Sequence, residues 1–118
     1  MKEEEKQEAI NEEIKKLTRF YKKIDKNKRT IIDNLIQQAA FIKITLLELQ
    51  DKINKSGSFD LFQQGLQKFE RESPAMKSYN ATIKNYQALC KQLLDMLPED
   101  NSNNSDDFLD FIKSNTKG

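Results

Sequence analysis

The chain contains no histidine and no tryptophan, only one cysteine, and few residues that interrupt helices, with 3 glycines and 2 prolines in 118 residues. Without histidine and with a single cysteine, neither a Cys-His or Ser-His catalytic pair nor a zinc-type ligand cluster can be assembled. Cys90 has no partner for an internal disulfide, and its place on an apolar stripe predicts a core residue. We therefore expect no enzymatic activity, no cofactor, no metal and no small-molecule substrate.

Long apolar runs are also missing. The richest stretch, Ala39 to Leu49, is interrupted by Lys43 and Glu48 and falls short of the roughly 18 apolar residues that a membrane span needs. The N-terminus has no apolar segment that would serve as a secretion signal. With 20 Lys and Arg against 19 Asp and Glu, the net charge of +1 favours neither nucleic acid nor an anionic membrane. These features predict a soluble, cytoplasmic protein without a membrane partner, in which only local charge clusters carry information.

Apolar residues recur at helical spacing in three long segments, which we predict as helices of about 4–25, 30–54 and 74–97. Thr30 is expected to cap the start of the second helix, and Gly57 is expected to end it. Ser73 followed by Pro74 is a start signal for the third. The three apolar stripes consist of Ile10, Ile14, Leu17, Tyr21 and Ile24; of Ile32, Leu35, Ala39, Ile42, Leu46, Leu49 and Ile53; and of Tyr79, Ile83, Tyr86, Cys90, Leu93 and Leu97.

These stripes predict an all-α fold, an antiparallel bundle of three long helices that forms one domain over residues 1–98. Between the second and third helices, residues 58–72 fit a helix face less well, and Gly65 costs a helix about 1 kcal/mol relative to Ala. We predict a short, irregular helical connection there. Because such long helices bury only a marginal core in so small a chain, a homo-oligomer is expected.

Composition changes after Pro98. Residues 101–107 are only Asn, Ser and Asp, so 99–118 is predicted as a disordered, flexible acidic tail. Four large apolar residues then fall within five positions, which predicts a short helix at 107–113 that docks into a groove of a partner. These partner-binding candidates are Phe108, Leu109, Phe111 and Ile112.

A basic cluster occupies positions 15–29, where eight cations accompany a single acid, Asp25. This density could neutralise several phosphates, and Phe20 or Tyr21 could stack on an exposed base. The alternative is a solvated helix face, since six glutamates just upstream nearly balance the segment. The DNA-binding candidates are Lys15, Lys16, Arg19, Lys22, Lys23, Lys26, Lys28 and Arg29.

The third helix carries a family resemblance. The run Ser73-Pro-Ala-Met-Lys-Ser-Tyr-Asn-Ala-Thr-Ile-Lys-Asn-Tyr86, followed by Lys91-Gln-Leu-Leu-Asp-Met-Leu-Pro98, resembles the short small terminase subunits of tailed bacteriophages. Ala39 to Leu49, Phe62 to Gly65 and the acidic ending Asp107 to Phe111 are similar to that family as well. The helix-turn-helix domain with which many of these subunits begin is not found in this sequence.

The resemblance implies a non-catalytic DNA-packaging protein, encoded by a phage or prophage and present in the cytoplasm of a bacterial host. Such a subunit oligomerises, often as a ring, recognises phage DNA, and regulates the large terminase subunit that holds the ATPase and nuclease. It also implies that the C-terminal peptide contacts the large subunit. From the residues alone a second class stays open, a helical structural or adaptor protein that binds a partner helix without nucleic acid.

Overall fold

A computed structural model describes residues 2–64, 67–98 and 104–116. Its elements, in chain order, are α1 (Glu3–Thr18), α2 (Arg29–Ser56), β1 (Phe59–Gln64), β2 (Gln67–Glu72), α3 (Pro74–Asp95) and α4 (Asn104–Thr116). Two 3-10 turns, Arg19–Tyr21 and Lys26–Lys28, connect α1 to α2, and we call residues 19–28 the basic bend. The predicted all-α class is confirmed, since four helices form most of the described chain.

The ends of the helices follow from local signals, with one exception. Gly57 ends α2 with φ 88°, and its N–H donates to the Ile53 carbonyl at 2.7 Å. The Ser73 side chain accepts from the Met76 N–H at 3.1 Å, and Pro74 follows in the first turn of α3. The predicted cap at Thr30 is wrong, because α2 already begins at Arg29 and has no side-chain cap.

The first helix is also shorter than predicted, since α1 ends at Thr18 and the chain turns through the basic bend before α2. The second and third helices lie within two residues of their expected bounds of 30–54 and 74–97. None of the helices in the described residues is both long and apolar enough to span a membrane.

The connection between α2 and α3 corrects the sequence prediction of an irregular helix. Residues 59–64 and 67–72 are two antiparallel strands, in which Phe59 pairs with Glu72. A backbone bond from Ser73 N to Ser58 O, 2.8 Å long, closes the base of this hairpin. The apolar pattern of the segment fits both a helical and a two-residue period, and its ends are held close together by α2 and α3, which favours the hairpin.

Contacts between α1 and α2 show that the two helices run in opposite directions. Near the start of α1, Lys6 Nζ lies 2.7 Å from Glu48 Oε1 near the end of α2. Further along α1, Ile10 packs with Ala40 and Ile44. Helices α2 and α3 are similarly opposed, since the hairpin joins them and Lys43, midway along α2, lies beside Tyr86, midway along α3.

The main core lies at the end of the molecule that carries the basic bend. Tyr21 is completely buried there, and its hydroxyl donates to the Leu93 carbonyl of α3. This bond joins the bend to the last turns of a helix 72 residues away in sequence. The buried residues of this core are Leu17, Tyr21, Ile32, Ile36, Ala39, Leu89, Leu93 and Phe108.

The C-terminal segment differs in part from its prediction. The helix expected at 107–113 lies within α4, but α4 also includes residues 104–106 and 114–116, which were predicted as disordered, and 99–103 and 117–118 lie outside the described residues. Phe108 is only 1% exposed and packs edge-on against Phe20 and Tyr21, with ring centroids 5.4 and 6.5 Å apart. The composition predicts disorder because the polar run buries too little apolar surface to fold by itself. In the structure, the aromatic side chains of the bend provide a surface on which the helix buries Phe108.

We expect Tyr21→Phe to lower the free energy of unfolding by about 1 kcal/mol, because the variant keeps the ring but loses the buried hydrogen bond to Leu93. Urea unfolding followed by circular dichroism measures the change. Tyr79→Phe is the matched control, since the Tyr79 hydroxyl has no hydrogen bond within the described residues. Equal losses in the two variants would contradict the role of the Tyr21 hydroxyl.

Candidate nucleic-acid interface

The structure places the predicted DNA-binding cations at one end of the molecule, on the last turns of α1 and on the basic bend. Lys15 and Lys16 belong to α1, and Arg29 is the first residue of α2. The remaining five lie on the bend itself, because the chain turns there instead of continuing as a helix. The exposed members of the set are Lys15, Lys16, Arg19, Lys22, Lys23, Lys26 and Lys28.

Arg29 has structural partners and is the least available of the eight. It is half-buried, its Nη2 donates to the Tyr21 carbonyl at 2.9 Å, and its Nη1 lies 3.9 Å from Asp33 Oδ1. Lys15 approaches Glu12 at 3.7 Å, but both side chains are largely exposed, so water screens this pair. Arg19, Lys22, Lys23, Lys26 and Lys28 form no ion pair with any part of the chain that the structure describes.

A depression lies between the bend and the end of α3. Lys23 and Lys28 line it from the bend, together with Asp25, and Asp95 lines it from α3. Two cations therefore meet two carboxylates there, which leaves no excess of positive charge for an anion. The excess positive charge of the bend is on Arg19, Lys22 and Lys26, which lie outside this depression and are exposed.

The two aromatic residues proposed for base stacking differ in their exposure. Tyr21 is buried in the core, so the expectation that it could stack on a base is wrong. Phe20 is half-buried beneath α4, with its ring centroid 5.4 Å from that of Phe108 and 5.7 Å from that of Phe111. The 3-10 turn sets this difference, because consecutive side chains on it point to different sides of the chain.

The four partner-binding candidates all lie on α4, but they do not form one exposed face. Phe108 is in the core, and Phe111 and Ile112 pack against that core and are half-buried. Leu109 is the most accessible of the four, at 39% exposed. In this arrangement the apolar side of α4 is bound to its own chain, and the exposed side carries Asp106, Asp107 and Asp110.

Sequence reasoning missed a polar cluster inside the bundle. Glu13 of α1 and Lys43 of α2 are both buried, and the Lys43 ammonium lies 6.0 Å from the ring centroid of Tyr86 on α3. Cys90 is half-buried one turn after Tyr86 on the same helix. The signal was present in the pattern, since Lys43 lies three residues after Ala40 and three before Leu46, at a core position of α2.

Burial shifts the pKa of each group in this cluster in the direction that favours the neutral form of the group. The pKa of Glu13 is raised by burial, although the charges of Lys43 and Lys16 oppose this shift. Burial lowers the pKa of Lys43, although the charge of Glu13 opposes this shift. Burial likewise raises the pKa of the Cys90 thiol, which holds the sulfur in its unreactive protonated form. The arrangement therefore fits a structural pair and not a nucleophile.

We expect Lys43→Met to destabilise the fold by roughly 3 kcal/mol at pH 7, because it leaves the Glu13 carboxylate buried without its main partner. The folded-state pKa of Glu13 then lies still further above its ordinary value. Below pH 4.5 the carboxyl is protonated in both states, and as pH rises the folded state must give up a proton that it favours. The stability gap to the native protein should therefore widen from about pH 4 to pH 7.

Urea midpoints at the two pH values measure this gap, and Glu13→Gln with Lys43→Met is the control. The double variant has neither ionisable group, so its gap should change little over the same range. A gap for Lys43→Met that is equal at pH 4 and pH 7 would show that the two charges do not interact.

Among the described residues, no group of three or more His, Cys, Asp or Glu side chains is placed to hold a metal ion. Comparison of the chain with protein-family models, with curated proteins and with solved structures finds no match. A functional assignment therefore depends on the contacts described above and on the resemblance of the sequence.

Proposed function

We propose that this protein is a non-catalytic component of phage DNA packaging, similar to the small terminase subunits, which oligomerises, contacts DNA and regulates a large terminase subunit. The observation that carries the proposal is the set of five exposed, unpaired cations on the basic bend. The resemblance of α3 and the C-terminal segment to that family supplies the biological setting. Each of the three activities has its own structural support.

For DNA contact, the support is charge density. Arg19, Lys22, Lys23, Lys26 and Lys28 lie within ten residues of a bend only two short turns long. Cations with no carboxylate partner lose little when they move onto phosphates, and the counterions released from DNA favour binding at low salt. Because these five cations lie on a bend of two short turns and not along a helix, the proposed contact is with the phosphate backbone.

For oligomerisation, the support is exposed apolar surface. We propose that the three long helices form an antiparallel bundle that serves as the assembly core and that the hairpin extends this interface. Phe59 is 63% exposed and Leu61 70% exposed, and alternate residues of a strand share a face. A two-stranded hairpin is marginally stable by itself, so a second copy of the chain would stabilise it.

For contact with the large subunit, the support is the chemistry of α4. Three carboxylates and Leu109 face solvent on this helix, and its apolar side is predicted to bind a partner. Because Phe108 is buried, a groove on the partner could receive that apolar side only after α4 leaves its own chain. The proposal therefore includes a release step for α4.

We expect the native protein to shift a duplex DNA fragment in a gel at about 50 mM salt and much less at about 200 mM, because phosphate contacts weaken steeply with salt. Arg19→Glu, Lys22→Glu and Lys23→Glu together should abolish the shift. Lys77→Glu, Lys84→Glu and Lys91→Glu, three exposed lysines of α3, make the same change of charge elsewhere and should leave most of the binding.

Equal loss in both triple variants would mean that net charge alone drives binding, which contradicts a site on the bend. If the native protein binds no duplex even at low salt, the DNA-packaging proposal is wrong. The better interpretation would then be a helical adaptor that binds a partner helix without nucleic acid.

We expect light scattering to give the native protein a mass of several chains and Phe59→Glu with Leu61→Glu a lower mass, because the charges would be buried in the interface. Gln87→Glu with Gln92→Glu adds the same charge at exposed positions of α3 and should keep the native mass. A native protein that is monomeric at micromolar concentration would overturn the oligomer.

A further inference from the structure

The aromatic surface of the basic bend is covered by α4. The Asn104 side chain donates to the Phe20 carbonyl at 3.4 Å, so the start of α4 lies on the bend. One turn later, Phe108 and then Phe111 pack against the Phe20 ring. Phe20 would consequently become accessible if α4 moved away, whereas the Tyr21 ring, which also contacts Phe108, is held in the core by α3 as well.

The residues that neighbour Phe20 along the bend have the chemistry of a site for single-stranded nucleic acid. Arg19, Lys22 and Lys23 are exposed and free of ion pairs within the described chain. A planar ring flanked by cations is the combination on which such strands bind, because bases stack on the ring while phosphates contact the charges. We call Phe20 with these three cations the Phe20 surface.

Helix α4 occupies the aromatic part of the Phe20 surface and resembles such a strand in two respects. Helix α4 places the Phe108 ring edge-on against Phe20, at an angle of 86°, and carries the exposed carboxylates of Asp106, Asp107 and Asp110 on its solvent-facing side. These three acids outnumber the one cation described on the helix, Lys113. Aromatic contact and negative charge are also what a nucleic acid strand would bring.

The attachment of α4 is limited. Among the side chains of α4 that the structure describes, Phe108 alone is fully buried, and Phe111 and Ile112 are partly accessible. Units held by few buried apolar side chains open at a lower free energy than the core does. The α1, α2 and α3 helices share the rest of the core residues, so the bend keeps its support when α4 leaves.

We infer that α4 is an intramolecular competitor that blocks a single-stranded DNA site formed by Phe20, Arg19, Lys22 and Lys23. This inference rests on the proposed DNA contact by the bend and adds to it the ligand class and its regulation. Because α4 cannot cover Phe20 and occupy another protein at once, a partner that captures α4 exposes the site. Binding of that partner and binding of single-stranded DNA then strengthen each other.

The test measures the binding of a fluorescent oligothymidylate to the full chain by anisotropy at low salt. Phe108→Ala removes the buried anchor of α4 and should tighten binding at least about fivefold, the lower range of allosteric coupling. Leu109→Ala, on the exposed side of the same helix, is the matched control and should leave the affinity unchanged. Adding Phe20→Ala to Phe108→Ala should reverse most of the gain, because the stacking ring is lost.

Two further measurements guard against a folding defect in Phe108→Ala. A synthetic peptide of residues 104–116 added to that variant should compete with the oligothymidylate, which requires an intact bend. Asp106→Asn with Asp107→Asn keeps the apolar packing of α4. This variant should tighten binding by a smaller factor, because it removes only the repulsion between these carboxylates and the phosphates of the oligothymidylate.

The outcomes separate this inference from the proposed function. If native protein and Phe108→Ala bind oligothymidylate equally while duplex binding still depends on Arg19, Lys22 and Lys23, competition by α4 is wrong and DNA contact by the bend stands. A gain that survives Phe20→Ala likewise overturns the Phe20 surface. If no variant binds any DNA at low salt, both proposals are wrong.

Discussion

The burial of Tyr21 is the contact on which the arrangement of this protein depends. Its hydroxyl donates to the Leu93 carbonyl, so the end of α3 is joined to the turn between α1 and α2. Its own carbonyl accepts from Arg29, which fixes the first turn of α2, and its ring forms part of the surface under Phe108. Contacts of α2, α3 and α4 therefore meet at one residue, which directly follows α1. The positions of the exposed cations follow from this, because they lie on the segment that Tyr21 anchors.

A second constraint operates farther along the bundle, where Glu13 and Lys43 are buried between helices. Burying these charges costs free energy, and their mutual attraction offsets part of that cost. A shift of α1 along α2 by one turn would separate the two groups and leave each charge buried without its partner. The pair thus favours one alignment of α1 on α2, whereas the neighbouring Ile10, Ala40 and Ile44 would tolerate a shift more readily.

The fold separates the surfaces that the proposals use. The basic bend and α4 lie at the start of α2, and the exposed hairpin lies at its end, 28 residues later. At 1.5 Å per residue that distance is roughly 40 Å. Assembly through the hairpin would leave the bend free, and contact of α4 with another protein would act on the Phe20 surface without passing through the assembly interface.

The sequence by itself determined the helical class, the three long helices and the signals at Gly57 and Ser73, because helical periodicity and capping are local effects. It also determined where the cations cluster. Only the tertiary structure decided the rest. Residues 59–64 and 67–72 pair as strands because α2 and α3 hold their ends together. Tyr21 points inward because Leu93 accepts its hydrogen bond, and the helix expected at 107–113 extends over 104–116 and packs on its own chain because the bend offers an aromatic surface. Each of these outcomes depends on residues far apart in the chain, whose contacts no local pattern records.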